Sequence, residues 1–134
     1  AMTTVQSQST SNPCSISQQA AIAALDGDQS VVTEMTAEYR QRHDFVVAAL
    51  NEIDGVECRP GEGAFYAFPR ISAAAEALGI GNDADFVAHL LNVADVALVP
   101  GSAFGAPGYV RLSFACSMAT LEEALNRINQ AVSA

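Results

Sequence analysis

An arginine set between apolar neighbours is costly to leave without a partner, and Arg111 in Tyr109-Val110-Arg111-Leu112-Ser113-Phe114-Ala115 has that setting. The alternation predicts a strand over 109–115, with Val110, Leu112 and Phe114 on one face and Arg111 and Ser113 on the other. A guanidinium there calls for an anion, because an unpaired charge loses its hydration without compensation. Its planar fork matches a carboxylate through two parallel hydrogen bonds. Two partners fit: the carboxylate of a small-molecule substrate, or one of the 15 Asp and Glu side chains of the chain in a structural ion pair.

Other reactive residue types carry less. The segment Val99-Pro100-Gly101-Ser102-Ala103-Phe104-Gly105 could turn backbone N–H groups toward an anion, but it lacks the lysine of a nucleotide loop and the spacing of a dinucleotide fingerprint. An ordinary turn after a strand explains it as well. His43 and His89 sit in helical stretches with no second metal ligand one turn on, so no metal site is expected and neither histidine is given a role. Cys14, Cys58 and Cys116 are odd in number and have no paired spacing, which reads as reduced thiols. Lysine is absent, and all six of the Lys and Arg positions are arginine.

These residues need elements to hold them. Ala1 to Ser11 is rich in Ser, Thr and Gln without an apolar period, so 1–12 is expected to be a poorly ordered interdomain or interface segment. Asn12-Pro13 predicts a helix start, with Asn12 as the cap, a helix to about Leu25, and Gly27 as a left-handed stop. From Asp28, the stripe Val32, Met35, Tyr39, Arg42, Val46, Ala49, Ile53 predicts a long amphipathic helix interrupted only by Arg42. Strands are expected at Val56–Arg59 and Ala64–Pro69, the latter covered on both faces, then a helix at Ile71–Leu78 and another capped by Asp83. A strand at Val96–Val99, the Arg111 strand, and a final helix with Leu121, Leu125, Ile128 and Val132 on one side complete the order, with Thr120 and Glu123 as a capping box. The expected fold is α+β: a two-layer α/β sandwich over 13–134, with a small mixed or antiparallel sheet of about four strands packed by helices.

Composition narrows the function. A net charge of −9 and a pI near 4.3 oppose phosphate binding, so no nucleic acid is expected. No apolar run approaches a membrane span, and no basic stretch followed by an apolar core opens the chain, so a soluble, cytoplasmic protein is expected.

Four segments, taken in order, resemble the last third of class I pyridoxal-phosphate-dependent aminotransferases, above all the bacterial aspartate aminotransferases. They are Ser7-Gln8-Ser9-Thr10-Ser11-Asn12-Pro13, Gly63-Ala64-Phe65-Tyr66, Val99 to Gly105, and Val110-Arg111-Leu112-Ser113-Phe114-Ala115. The resemblance implies that 13–134 is the C-terminal small domain and that Arg111 grips the α-carboxylate of the amino-acid substrate. It implies that Phe65 lies near the substrate entrance, that Phe104 packs beside the arginine strand, and that Ser11 to Pro13 lies close to a subunit boundary. Amino-acid and 2-oxo-acid substrates, aspartate first among the donors, and a homodimeric full-length enzyme follow from it. So does pyridoxal 5'-phosphate, bound in the full-length enzyme by residues other than these. Without a lysine the chain has no Schiff-base residue, so it is expected to be a fragment that neither holds the cofactor nor catalyses alone. Separated from its partner domain, it is expected to self-associate through exposed apolar surface. Two other readings stay open: a lyase, decarboxylase or synthase of the same fold, and a free-standing module that binds a carboxylate metabolite.

Overall fold

The computed structural model describes residues 1–10 and 12–133. They form two compact units, Ala1–Met35 and Thr36–Ala134. The division falls inside one helix, whereas the sequence pattern separates 1–12 from 13–134.

The first unit is helical. Helix α1 (Met2–Ser9) lies within the 1–12 segment, whose sequence shows no apolar period. Local side-chain bonds support it: the Ser7 hydroxyl donates to the Thr4 carbonyl, and the Thr10 hydroxyl to that of Gln6. Such hydroxyls satisfy carbonyls within their own turn, and composition alone does not reveal this. Helix α2 (Ser15–Asp26) starts after Cys14 without a side-chain cap, so Asn12 does not take the role expected of it. Gly27 does end the helix, but in an extended conformation (φ −78°, ψ −177°) rather than a left-handed one. Neither α1 nor α2 has a buried residue. Helix α3 (Ser30–Asn51) then runs into the second unit. Asp28 starts it, accepting from the Ser30 N–H at 2.9 Å and the Ser30 hydroxyl at 2.6 Å.

The second unit holds the core. Three short strands, β1 (Tyr66–Ala67), β2 (Val99–Pro100) and β3 (Val110–Ser113), form an antiparallel sheet in the order β1-β3-β2. Helices α4 (Ser72–Ala77), α5 (Asp83–Ala94) and α6 (Met118–Val132) complete the unit. The α+β class stands, with three strands in place of about four. The expected strand at Val56–Arg59 contributes only the bridge Glu57↔Arg70, because Asn51 takes the next backbone groups: its side chain accepts from the Cys58 N–H and donates to the Cys58 carbonyl.

Strand β3 explains the layering. Val110 and Leu112 are buried and join Ala67, Val46 and Leu50 of α3, Phe86 and Leu90 of α5, and Leu121, Leu125 and Ile128 of α6 in one core. The opposite face carries Arg111, Tyr66 and Phe68 and is open: Tyr66 and Phe68 are 36% and 38% exposed. The expectation that β1 is covered on both faces therefore fails on this side. Aromatic residues alone do not report whether a second layer is present within the same chain.

Two caps also differ from expectation. Asn82, not Asp83, caps α5, accepting from the Asp85 N–H, and Ser117, not Thr120, caps α6, accepting from the Thr120 N–H at 3.1 Å.

Candidate functional site

Strand β3 is the central strand, so a side chain on its open face is reached from both sides. Register places Tyr66 opposite Ser113 on one flank and Val99 opposite Arg111 on the other. The Arg111 guanidinium carbon lies 4.4 Å from the Tyr66 ring centroid and 4.7 Å from that of Phe104. Both are within cation–π range.

The electrostatics of Arg111 differ from those of the other arginines. Arg42 is also half-buried, but it bonds the Glu38 carboxylate at 3.3 Å while lying over Tyr39. Arg127 meets Glu123 at 2.7 Å and Arg59 meets Glu57 at 3.8 Å. Arg40 and Arg70 are exposed, where water solvates the charge. Arg111 is half-buried between two rings, and among the described residues no carboxylate pairs with it. The rings leave the hydrogen-bonding edge of a guanidinium unsatisfied, so the arrangement suits an anion arriving from outside the unit.

Further aromatic rings extend the site in both directions. On the β1 side, Phe65 packs at 4.4 Å on Tyr66 and meets Tyr39 of α3 at 6.2 Å. On the β2 side, Phe68 meets Phe104 edge-on at 6.1 Å and lies nearly parallel to Tyr109, 5.4 Å away. Of the expected site residues, Arg111 and Phe104 are thus in contact, while Phe65 stands one ring away behind Tyr66. Sequence reasoning missed Tyr66. The signal was available: in an antiparallel pair, Tyr66 and Arg111 both fall on the face opposite Ala67 and Leu112.

The loop after β2 sets the position of Phe104. Gly101–Phe104 is a single 3₁₀ turn, closed by Gly105 in the left-handed region (φ 73°). Gly101 allows a tight closure: its N–H donates to the Tyr109 carbonyl at 2.8 Å, and a Cβ there would stand 2.7 Å from that same oxygen. Asp83 anchors the turn from α5. It is 3% exposed, and its carboxylate accepts from the Ser102 N–H at 2.7 Å. That backbone bond is the main reason its carboxyl is held below the ordinary aspartate range, and burial opposes the effect. The sequence pattern points only to a capping role for Asp83. Burial of the Cys58 thiol pushes its pKa up.

The turn before β1 aims Phe65 and Tyr66. His43 accepts from the Gly61 N–H at Nε2 (3.1 Å) and faces the Asp44 carboxylate with Nδ1 at 2.8 Å. These partners give the ring a local structural role. Ala64 follows with φ 60°, a left-handed conformation that costs a non-glycine residue roughly 1–2 kcal/mol. Among the described residues no group of His, Cys, Asp and Glu is arranged to hold a metal, and no helix is long and apolar enough to cross a membrane. Ser11, part of the stretch expected near a subunit boundary, lies outside the described residues.

The chain is similar to known proteins. The family model described as aminotransferase class I and II matches residues 1–128. The aspartate/prephenate aminotransferase of Nitrosomonas europaea is 51% identical over 134 residues, covering 96% of this chain and 34% of that protein. An aspartate aminotransferase of Rhizobium meliloti is 52% identical, covering 96% of this chain and 32% of its own length. Among solved structures, the aspartate aminotransferase from Rhizobium meliloti superposes with a TM-score of 0.86 at 46% identity, over 98% of this chain and 34% of that one. The alanine aminotransferase from Pyrococcus furiosus does so at 0.81 and 35%, over 90% of this chain and 30% of that one. The chain thus spans about a third of the length of the relatives it matches.

Proposed function

The chain belongs to the class I and II aminotransferases, and on that premise we propose that it is the small domain of a longer enzyme in which Arg111 binds the α-carboxylate of the amino-acid substrate. One observation carries the reading: a half-buried guanidinium on an open sheet face, held by aromatic rings and without a carboxylate partner among the described residues. A structural ion pair would need such a partner.

This chain lacks the residue type that attaches pyridoxal phosphate covalently. It has no lysine, so no side-chain amine is available for a Schiff base. In this reading the cofactor and its lysine belong to the part of the enzyme that this chain does not span. What Arg111 contributes is binding and orientation: two parallel hydrogen bonds fix the substrate carboxylate, so that its amino end is presented in one direction. The open face with Tyr66, Phe68 and Phe104 would be closed by the cofactor-bearing part, which removes water from the carboxylate and strengthens those bonds. Aspartate is the proposed donor and a 2-oxo acid the acceptor, in a cytoplasmic homodimer; the names of the relatives support the donor and suggest prephenate as an acceptor to assay beside 2-oxoglutarate.

Arg111→Lys in the longer enzyme is the test. It keeps the charge and loses the two-point geometry, so kcat/KM for aspartate should fall on the order of ten- to hundred-fold, while thermal stability changes little. A destabilised enzyme with normal kinetics would assign Arg111 to a structural pair instead. Turnover of aspartate without amino transfer would favour a lyase or decarboxylase of the same fold.

A further inference from the structure

We infer that Tyr66 and Phe104 act as positioning residues for Arg111, forming a two-ring clamp that sets the direction of its guanidinium before any carboxylate arrives. The inference rests on the carboxylate-binding reading of Arg111 and goes beyond it, by assigning the precision of that binding to two side chains that need not touch substrate.

Topology carries the first part of the argument. Arg111 lies on the central strand, Tyr66 comes from β1 on one flank, and Phe104 from the turn after β2 on the other. The two rings therefore reach the guanidinium from different elements, at 4.4 and 4.7 Å. An arginine side chain has several rotatable bonds, and holding it against one ring leaves it free to swing away. Contacts from both flanks restrict that motion, so less freedom remains to be lost when two hydrogen bonds to a carboxylate form.

The second part is that each ring is itself held. Phe65 lies 4.4 Å behind Tyr66, and Phe68 meets Phe104 at 6.1 Å with Tyr109 stacked beyond it. The backbones beneath the rings are pinned as well: the Phe114 N–H donates to the Phe65 carbonyl at 2.9 Å, and the Ser102 N–H to the buried Asp83 at 2.7 Å. Charge supplies the third part. A carboxylate in the place of either ring would satisfy Arg111 internally and compete with substrate, whereas an aromatic face attracts the cation and leaves its N–H edge free.

The experiment uses the longer enzyme and a double-mutant cycle. Tyr66→Leu and Phe104→Leu should each lower kcat/KM by roughly three- to thirty-fold, mainly through KM, as expected for loss of one cation–π partner. Tyr66→Phe should recover most of the loss seen with Tyr66→Leu, because it keeps the ring. In an Arg111→Lys background both leucine substitutions should have little further effect, since there is no guanidinium left to aim. Equal losses with and without the Arg111→Lys substitution, no recovery with Tyr66→Phe, or a fall in thermal stability with unchanged KM would each overturn the clamp. Should Tyr66→Leu fail to fold, Phe104→Leu carries the cycle, as Phe104 is 49% exposed and outside the core. The premise is read separately: Arg111→Lys alone with normal kinetics would remove the carboxylate site and this inference together, whereas a strong Arg111 effect with silent rings would remove only the inference.

Discussion

Arg111 stands out in the sequence because a charged residue breaks an apolar alternation, and the physics of desolvation requires a reason for it. Asp83 was less legible. The sequence pattern makes it the cap of α5, and only folding shows its carboxylate buried on the Ser102 N–H. Its folded pKa lies below the unfolded value, so its contribution to stability is present above the unfolded carboxylate range and is lost as pH falls through the folded pKa. Asp83→Asn should therefore lower stability at neutral pH by about 1–3 kcal/mol and flatten the acid side of the stability profile. Urea midpoints followed from neutral pH down into the acid range, through the folded carboxyl's titration, measure both. An unchanged acid limb in the variant would mean that Asp83 contributes nothing to acid sensitivity.

At the scale of elements, helices were easier to read than strands. The stripe Leu121, Leu125, Ile128, Val132 gives α6 over a long window, and all four residues are buried as the period requires. The strands have only two to four residues each, too short for alternation to fix their ends. Which face of β1 is covered also depends on what packs there, and the same aromatic string serves a buried or an open strand equally well. The 101–105 turn was readable as a turn, though its tightness was not, since that follows from Gly101 closing on the Tyr109 carbonyl. Gly101→Ala should push the turn away from β3 and carry Phe104 off Arg111. Overpacking of this kind typically costs about 1–3 kcal/mol. In the longer enzyme it should also raise KM for the amino acid, and a variant that is less stable but has an unchanged KM would show that Phe104 tolerates the shift.

At the scale of the molecule, the chain spans about a third of the length of the relatives it matches. It has a formed core in Thr36–Ala134 and a candidate carboxylate site on an open sheet face, yet no lysine. Mixed with pyridoxal phosphate and reduced with borohydride, it should yield no adduct on any side chain; peptide mapping that finds one inside the chain would contradict this. The row of rings has an optical consequence. The protein has no tryptophan and three tyrosines, and all three, Tyr39, Tyr66 and Tyr109, stand in the aromatic row that runs through Arg111. Its tyrosine emission and much of its near-ultraviolet circular dichroism thus originate beside the candidate site, while the far-ultraviolet signal is dominated by the α-helices along the chain. Loss of the first signal with retention of the second would mark a chain whose helices are intact and whose aromatic row has lost its packing.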